Sequence, residues 1–417
     1  MTGAVFLGTF HHVRWHCRVN PRQFYLFACP GVAHTWRGVG ATMPTRADVP
    51  TMQIFHNPHH HLHAGRHEMH RGRLVPCHET PARLDHVLAE LARRPLGPLR
   101  EPGEADMALI QRIHAPHYVD FLHSAWRDWV AQDPAHAELD ILPSVWPGQG
   151  LRRDVAPSNF SARVGRFAFD AGTPLGAGTW QAALAGAACA IDAARAVAAT
   201  VAAAADAVDS AAGAVAVALT RPPGHHASAD CYGGYCFLNN SALAAQALRD
   251  AGAARVAVVD VDYHHGNGTQ AIFYERDDVF TASIHGDPRT EYPFYLGYAD
   301  EAGSGTGQGF NLNLPLAPGT GFAAWHAALE YALAAAQRSR AEALVVPLGV
   351  DTFEGDPIST FKLRSDDFFA IGRTLAAAGL PTVFVMEGGY AVAELGVNFV
   401  NVLEGFVTAR GARAARS

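Results

Sequence analysis

The chain has 417 residues, 49% of them hydrophobic and 17% charged, which is enough apolar material for one large core and too much for a disordered polymer. Its formal charge of −7 argues against a nucleic-acid surface and suits a cationic substrate. Six cysteines without regular spacing, no secretory leader pattern and no run of about 18 apolar residues point to a reduced, soluble compartment, taken as cytoplasmic, with no membrane partner.

Residues 1–51 mix Trp15, Cys17, Cys29 and Trp36 with scattered glycine and arginine but keep no period. Two short apolar patches, 4–10 and 24–28, cannot build a core, so this extension is expected to be disordered or to precede the natural start. From Met52 onward short apolar runs alternate with alanine-rich stretches, which predicts one α/β domain over 52–417 with a parallel sheet flanked by helices. The expected strands are 52–55, 214–219, 255–260, 279–284, 344–349 and 382–386. Eight histidines fall between His56 and His78, a density that suggests metal binding; with no partner strand to fix the rings, the segment reads as a flexible loop. Residues 126–178 are irregular and rich in Pro, Gly and Trp, and 180–207 is an alanine-dense helix. The glycine-rich loop 303–309 neither follows a clear strand nor opens a helix, so it reads as a connection and not as a phosphate cradle.

The chemistry gathers where strands end, the place at which open parallel sheets put ligands. Residues 258–268 read Val-Val-Asp-Val-Asp-Tyr-His-His-Gly-Asn-Gly. Side chains two apart share a face of an extended strand, so Asp260, Asp262 and His264 leave it on one side. A second apolar strand runs into Asp351, a candidate third ligand. Two oxygens and one nitrogen around a divalent cation leave a position open, the mark of a catalytic site; carboxylates that cap neighbouring helices are the plainer alternative. His225 and His226 follow the strand 214–219 and can serve as acid and base, provided acceptors orient their rings. Gly388 and Gly389 let backbone pass close to a ligand and present Tyr390, whose phenol can donate to an oxyanion. Each of these two segments also reads as a tight turn. No serine or cysteine has the neighbours of a nucleophile, and Cys231 and Cys236 read as small buried fillers.

Together, His225-His226, Asp260-x-Asp262-x-His264-His265-Gly266, Asp351 and Gly388-Gly389-Tyr390 resemble the zinc-dependent deacetylases of the arginase/deacetylase superfamily. Gly233-Gly-Tyr-Cys-Phe-Leu-Asn-Asn, His285-Gly-Asp-Pro, Phe294-Tyr-Leu-Gly-Tyr-Ala-Asp and Gly349-Val-Asp-Thr-Phe-Glu look like the bacterial acetylpolyamine amidohydrolases, and the resemblance runs from about Met52 to Phe406. It implies the three-layer arginase/deacetylase-like fold and removal of acetyl groups from acetylated amines. The metal would be one zinc per chain, bound by Asp262, His264 and Asp351. His226 would be the base and acid, His225 its electrostatic partner oriented by Asp260, and Tyr390 the group that polarises the carbonyl. Asn267 would face His226, where many eukaryotic members carry Asp. A structural potassium ion would sit among Asp260, Asp262, His264, Ser283 and Ile284. Tyr235 and Tyr292 would line a substrate channel, with Gly234, Gly388, Gly389, Asp170 and Ile358 as further contacts. Arg83, in His78-Glu79-Thr-Pro81-Ala-Arg83, would lie buried behind the site and help acetate leave. The stretch 126–178 matches the insertion through which these relatives form homodimers.

The sequence departs from that pattern where relatives place an acidic side chain for the distal amine, because Gly172 stands there; Asp170, Asp287 or Glu291 would have to replace it. Another acetylated amine, or acetyl-lysine in a protein as for a protein deacetylase, is therefore the alternative substrate reading. An arginase-like ureohydrolase would need a paired metal cluster and a further carboxylate, but position 266 is glycine. A non-catalytic sensor of acetylated amines would be expected to lack the tyrosine or a histidine, and both are present.

Overall fold

In the computed structural model of the protein, the described residues are 52–152, 154–204 and 214–414; the expectation for 1–51 lies outside them. In chain order the strands are β1 (Gln53–His56), β2 (His67–His70), β3 (Arg73–Pro76), β4 (Leu99–Arg100), β5 (Val215–Leu219), β6 (Val256–Asp260), β7 (Val279–Gly286), β8 (Asn311–Leu316), β9 (Ala343–Leu348) and β10 (Thr382–Met386). The helices are α1 (Ala82–Arg93), α2 (Met107–Ile113), α3 (Pro116–Val130), α4 (Phe160–Phe167), α5 (Thr179–Ala203), α6 (Asn240–Asp250), α7 (Asn267–Phe273), α8 (Phe322–Arg338), α9 (Ser365–Ala377) and α10 (Val392–Ala414).

Eight strands form one sheet in the order β4-β1-β5-β10-β9-β6-β7-β8, and every pairing is parallel. All-parallel sheets need cover on both faces, and the strand alternation supplies it. Ala216 and Ala218 of β5 pack with α2, α3, α5 and α6, whereas Val215, Val217 and Leu219 pack with α1, α8, α9 and α10. The three layers expected from the resemblance are thus present, and each of the six expected strands lies in the central sheet.

The edge strands β4 and β8 were not legible in the sequence, because both lie at the sheet's margins and mix polar with apolar residues. The histidine-rich segment needs a larger correction. It is not a structureless loop but a 3-10 turn, His60–Leu62, followed by the hairpin of β2 and β3. Arg71 and Gly72 make its two-residue turn with φ of 48° and 77°, a left-handed pair that glycine eases at the second position. Within the insertion, α3 continues to Val130, a 3-10 turn spans Pro134–Glu138, and α4 follows. The glycine-rich loop makes one 3-10 turn, Gly305–Gly307, tied to the Tyr274 and Glu275 carbonyls at the far end of α7 from Asn267.

Helix α5 is long and apolar enough to cross a membrane by composition, as is Val392–Ala412, yet 61% and 56% of their apolar windows are buried inside this fold. Helices α9 and α10 approach through glycine. A Cβ on Gly372 would lie 1.9 Å from the Val402 carbonyl oxygen, and one on Gly405 would lie 2.1 Å from that of Phe369. Gly405→Ala must therefore push the pair apart, and we expect a loss of about 1–3 kcal/mol in urea unfolding, a size typical of overpacking; an unchanged midpoint would refute this packing.

Candidate active site

Strand ends bring the chemistry together. Beyond β6, Asp262 and His264 turn toward Asp351, which follows β9, and one donor atom from each lies within 4.8 Å of the others. All three are buried, Asp262 and Asp351 completely. His264 Nδ1 stands 3.0 Å from Asp351 Oδ2 and 3.4 Å from Asp262 Oδ1. Gly349 and Gly388 make room for the carboxylates, since a Cβ at either would come within 2.6 Å of Asp262 Oδ2. Gly388 also donates its N–H to that oxygen at 2.8 Å. Burial and the neighbouring Asp262 push the Asp351 carboxyl up to about 7. Two carboxylates and an imidazole, buried and convergent, fit a divalent cation, whose charge would offset the cost of keeping both carboxylates ionised out of water.

Beyond β5, two histidines are held differently. His225 Nδ1 lies 2.9 Å from Asp260 Oδ2, and its Nε2 lies 3.8 Å from Asp262. Burial works against its charge, but Asp262 and Asp260 outweigh it and push His225 up to about 10. His226 Nδ1 is 2.6 Å from Asn267 Oδ1. The Asn267 amide in turn donates to the His226 carbonyl at 3.3 Å, which fixes its oxygen toward the ring. Burial, His225 and His264 hold His226 far below the usual histidine range. A neutral His226 with its proton on Nδ1 leaves Nε2 as the basic atom.

Tyr390 reaches the site from the loop after β10, two residues beyond Gly388. Burial pushes its phenol well above the ordinary range, so it stays a proton donor. Arg83 lies over the ring at 4.7 Å and donates to the Gly389 carbonyl at 2.7 Å and to that of Glu387. Tyr235 packs beside Tyr390 with ring centroids 5.5 Å apart. Tyr292 stands edge-on to His226 at 5.1 Å, backed by Phe169. Gly234 passes over the His226 ring, where a Cβ would come to 2.2 Å. Ile358 is half-buried on the loop after Asp351.

Asp170 is placed among these aromatic walls with both oxygens engaged. Oδ2 accepts from the Tyr292 hydroxyl and the Gly234 N–H, each at 2.6 Å, and Oδ1 from Gly172 and Thr173 at 3.0 Å. Asp287 is paired with Arg289. For the potassium set, strand register puts Asp260 beside Ser283, with Ile284 next on β7.

Three buried carboxylates escaped sequence reasoning. Glu387 accepts from the Gly224 and His225 N–H groups at 2.6 and 3.1 Å and from Ser241 at 3.0 Å, holding the loop that carries both histidines. Asp356 accepts from Tyr390 N–H at 2.7 Å and Ala391 N–H at 3.2 Å. Glu68, on β2, lies 3.0 Å from the Tyr235 hydroxyl and 2.9 Å from His78 Nδ1. The first two were visible as letters in Met386-Glu-Gly-Gly and Glu-Gly-Asp-Pro; only folding shows which backbone they hold.

Residues 77–406 match the histone deacetylase domain family. The chain belongs to that family. It is 50% identical over 356 residues to acetylpolyamine amidohydrolase 2 of Pseudomonas aeruginosa, covering 85% of this chain and 98% of the relative. It is 43% identical to the acetylpolyamine amidohydrolase of Mycoplana ramosa, over 85% of this chain and 99% of the relative. The crystal structure of the acetylpolyamine aminohydrolase from Burkholderia pseudomallei superposes with a TM-score of 0.77 at 38% identity, covering 85% of this chain and 98% of that one. The protein is therefore an amide hydrolase with this family's arginase/deacetylase fold, and family membership points to a metal cofactor.

Asp356→Ala frees the Tyr390 backbone without touching the ion ligands. We expect kcat to fall by roughly a hundredfold, as displacements of about 1 Å do, with bound metal unchanged; equal loss of metal would show that Asp356 acts on the ligands instead.

Proposed function

We propose that the protein hydrolyses acetylated polyamines to acetate and a free primary amine. The observation that carries this reading is the convergence of Asp262, His264 and Asp351 beside His226 and Tyr390, in a chain half identical to an acetylpolyamine amidohydrolase along nearly all of that relative. Asp262, His264 and Asp351 would hold one zinc ion. When bound, such an ion supplies Lewis acidity to an amide carbonyl and lowers the pKa of water toward neutrality.

The chain's own groups do the rest. His226 Nε2 takes the proton of the attacking water and later returns it to the departing amine, while Asn267 keeps Nδ1 protonated. His225, charged beside Asp260 and Asp262, counters the negative charge that develops nearby. The Tyr390 phenol donates to the carbonyl oxygen as it becomes an oxyanion. Tyr235, Tyr292 and Gly234 confine a slim alkyl chain, with Gly388, Gly389 and Ile358 at its acetyl end. Asp170, with its lone pairs engaged, attracts a distal ammonium through charge and not through a direct bond; Glu68 adds a second buried carboxylate behind Tyr235. Arg83 gives acetate a cationic partner behind Tyr390.

We further assign a potassium ion to Asp260, Asp262, His264, Ser283 and Ile284, and a homodimer to the insertion at about 126–178. Residues 52–417 would form one catalytic domain, in the cytoplasm.

Tyr390→Phe and His226→Ala should each lower kcat roughly 100 to 1,000 fold while zinc remains bound. Unchanged turnover in either variant removes the mechanism. Chelation should abolish activity, and added zinc should restore it; full activity after metal removal, verified by elemental analysis, would exclude a metal-dependent route. Among acetylputrescine, acetylcadaverine, acetylspermidine and an acetyl-lysine peptide, kcat/KM should favour the small amines, whereas preference for the peptide would select the protein deacetylase reading.

A further inference from the structure

We propose that His60, His61 and Asp85 form a second divalent-metal site, separate from the catalytic centre. The three residues offer one donor atom each within 4.8 Å of one another. Asp85 Oδ1 lies 3.1 Å from His61 Nε2 and 3.6 Å from His60 Nε2. These separations bracket the edge of a tetrahedron, about 3.3 Å, that follows from metal–ligand bonds of about 2.0–2.1 Å.

A surface ion pair explains only half of this arrangement. His61 and Asp85, with side chains 62% and 45% exposed, could pair as ordinary surface groups. The His60 ring cannot be read that way. Its side chain is 5% exposed, its Nδ1 is buried with no hydrogen-bond partner, and its Nε2 points at Asp85 from beyond hydrogen-bond range. Nε2 of this buried ring thus has only Asp85 near it, too far for a hydrogen bond, and an ion lying between the two would bridge that gap.

The ligands are held in place by both elements. Arg221 donates to the His60 carbonyl, and Asn57 accepts from His59 N–H at 2.8 Å, so the 3-10 turn is fixed from below. Asp85 stands on the first turn of α1. Two imidazoles and one carboxylate suit zinc, nickel or copper over magnesium or calcium, and the exposed side leaves room for water to complete the coordination.

Nickel separates this site from the catalytic one. Zinc-loaded full-length protein is titrated with Ni2+ by calorimetry, passed over a desalting column, and analysed for both metals. One nickel per chain with zinc retained is the expected result. His61→Ala and Asp85→Asn should weaken nickel binding roughly tenfold or more, while zinc content and turnover measured before nickel is added stay at the wild-type level. Failure of wild-type protein to retain nickel, nickel gained only as zinc is lost, or His61→Ala binding nickel like the wild type would each overturn the proposal. Zinc content and turnover report on the deacetylase reading independently.

Discussion

The constraint on which the site depends is negative charge packed into the carboxyl ends of a parallel sheet. Asp260, Asp262, Asp351, Asp356 and Glu387 are all buried there. A carboxylate removed from water costs several kcal/mol unless partners repay it. The fold answers with two kinds of partner. Backbone N–H groups from tight loops serve Asp262, Asp356 and Glu387, and imidazoles serve Asp260 and Asp351. The residual charge between Asp262 and Asp351 is what makes the pocket suited to a cation.

Those same bonds set the relative positions of the groups proposed to act. Glu387 ties the end of β10 to the loop after β5, so Tyr390 and the two histidines are fixed relative to one another by a single carboxylate. Asp356 ties the loop after β9 to the Tyr390 backbone. Arg83 reaches the same loop from α1 and also pairs with Glu79, which pairs with Arg221 on the histidine-bearing segment. Loops after β5, β9 and β10 are thus joined by side chains that lie behind the two histidines and Tyr390. In the proposed mechanism, preorganisation of this kind would place the donors before the reaction begins, which is where most electrostatic catalysis originates.

His225 and His226 illustrate how neighbours divide labour between adjacent residues of one type. Their rings lie 4.0 Å apart, yet one faces two aspartates and the other an asparagine. The first is driven toward the charged form and the second toward the neutral form. With a carboxylate at position 267 the second imidazole would also be drawn toward charge, so the asparagine keeps the two rings in different charge states.

The sequence by itself determined the parallel core and the residue types at its edge. Uniformly apolar runs that end in Asp260, Asp351 and Met386-Glu387 fit strands buried on both faces, and the period of two puts Asp262 and His264 on one side. Tertiary structure alone decided which carboxylate holds which loop, because Glu387, Asp356 and Asp170 act on backbone and hydroxyl groups many residues away. It also decided that Asp170 spends its oxygens on Tyr292, Gly234, Gly172 and Thr173, and that histidines which looked loose between His56 and His78 include one buried ring aimed at Asp85. Local pattern reports how a residue relates to its own strand or turn; distant hydrogen bonds form only after the layers have packed, and no short-range period encodes them.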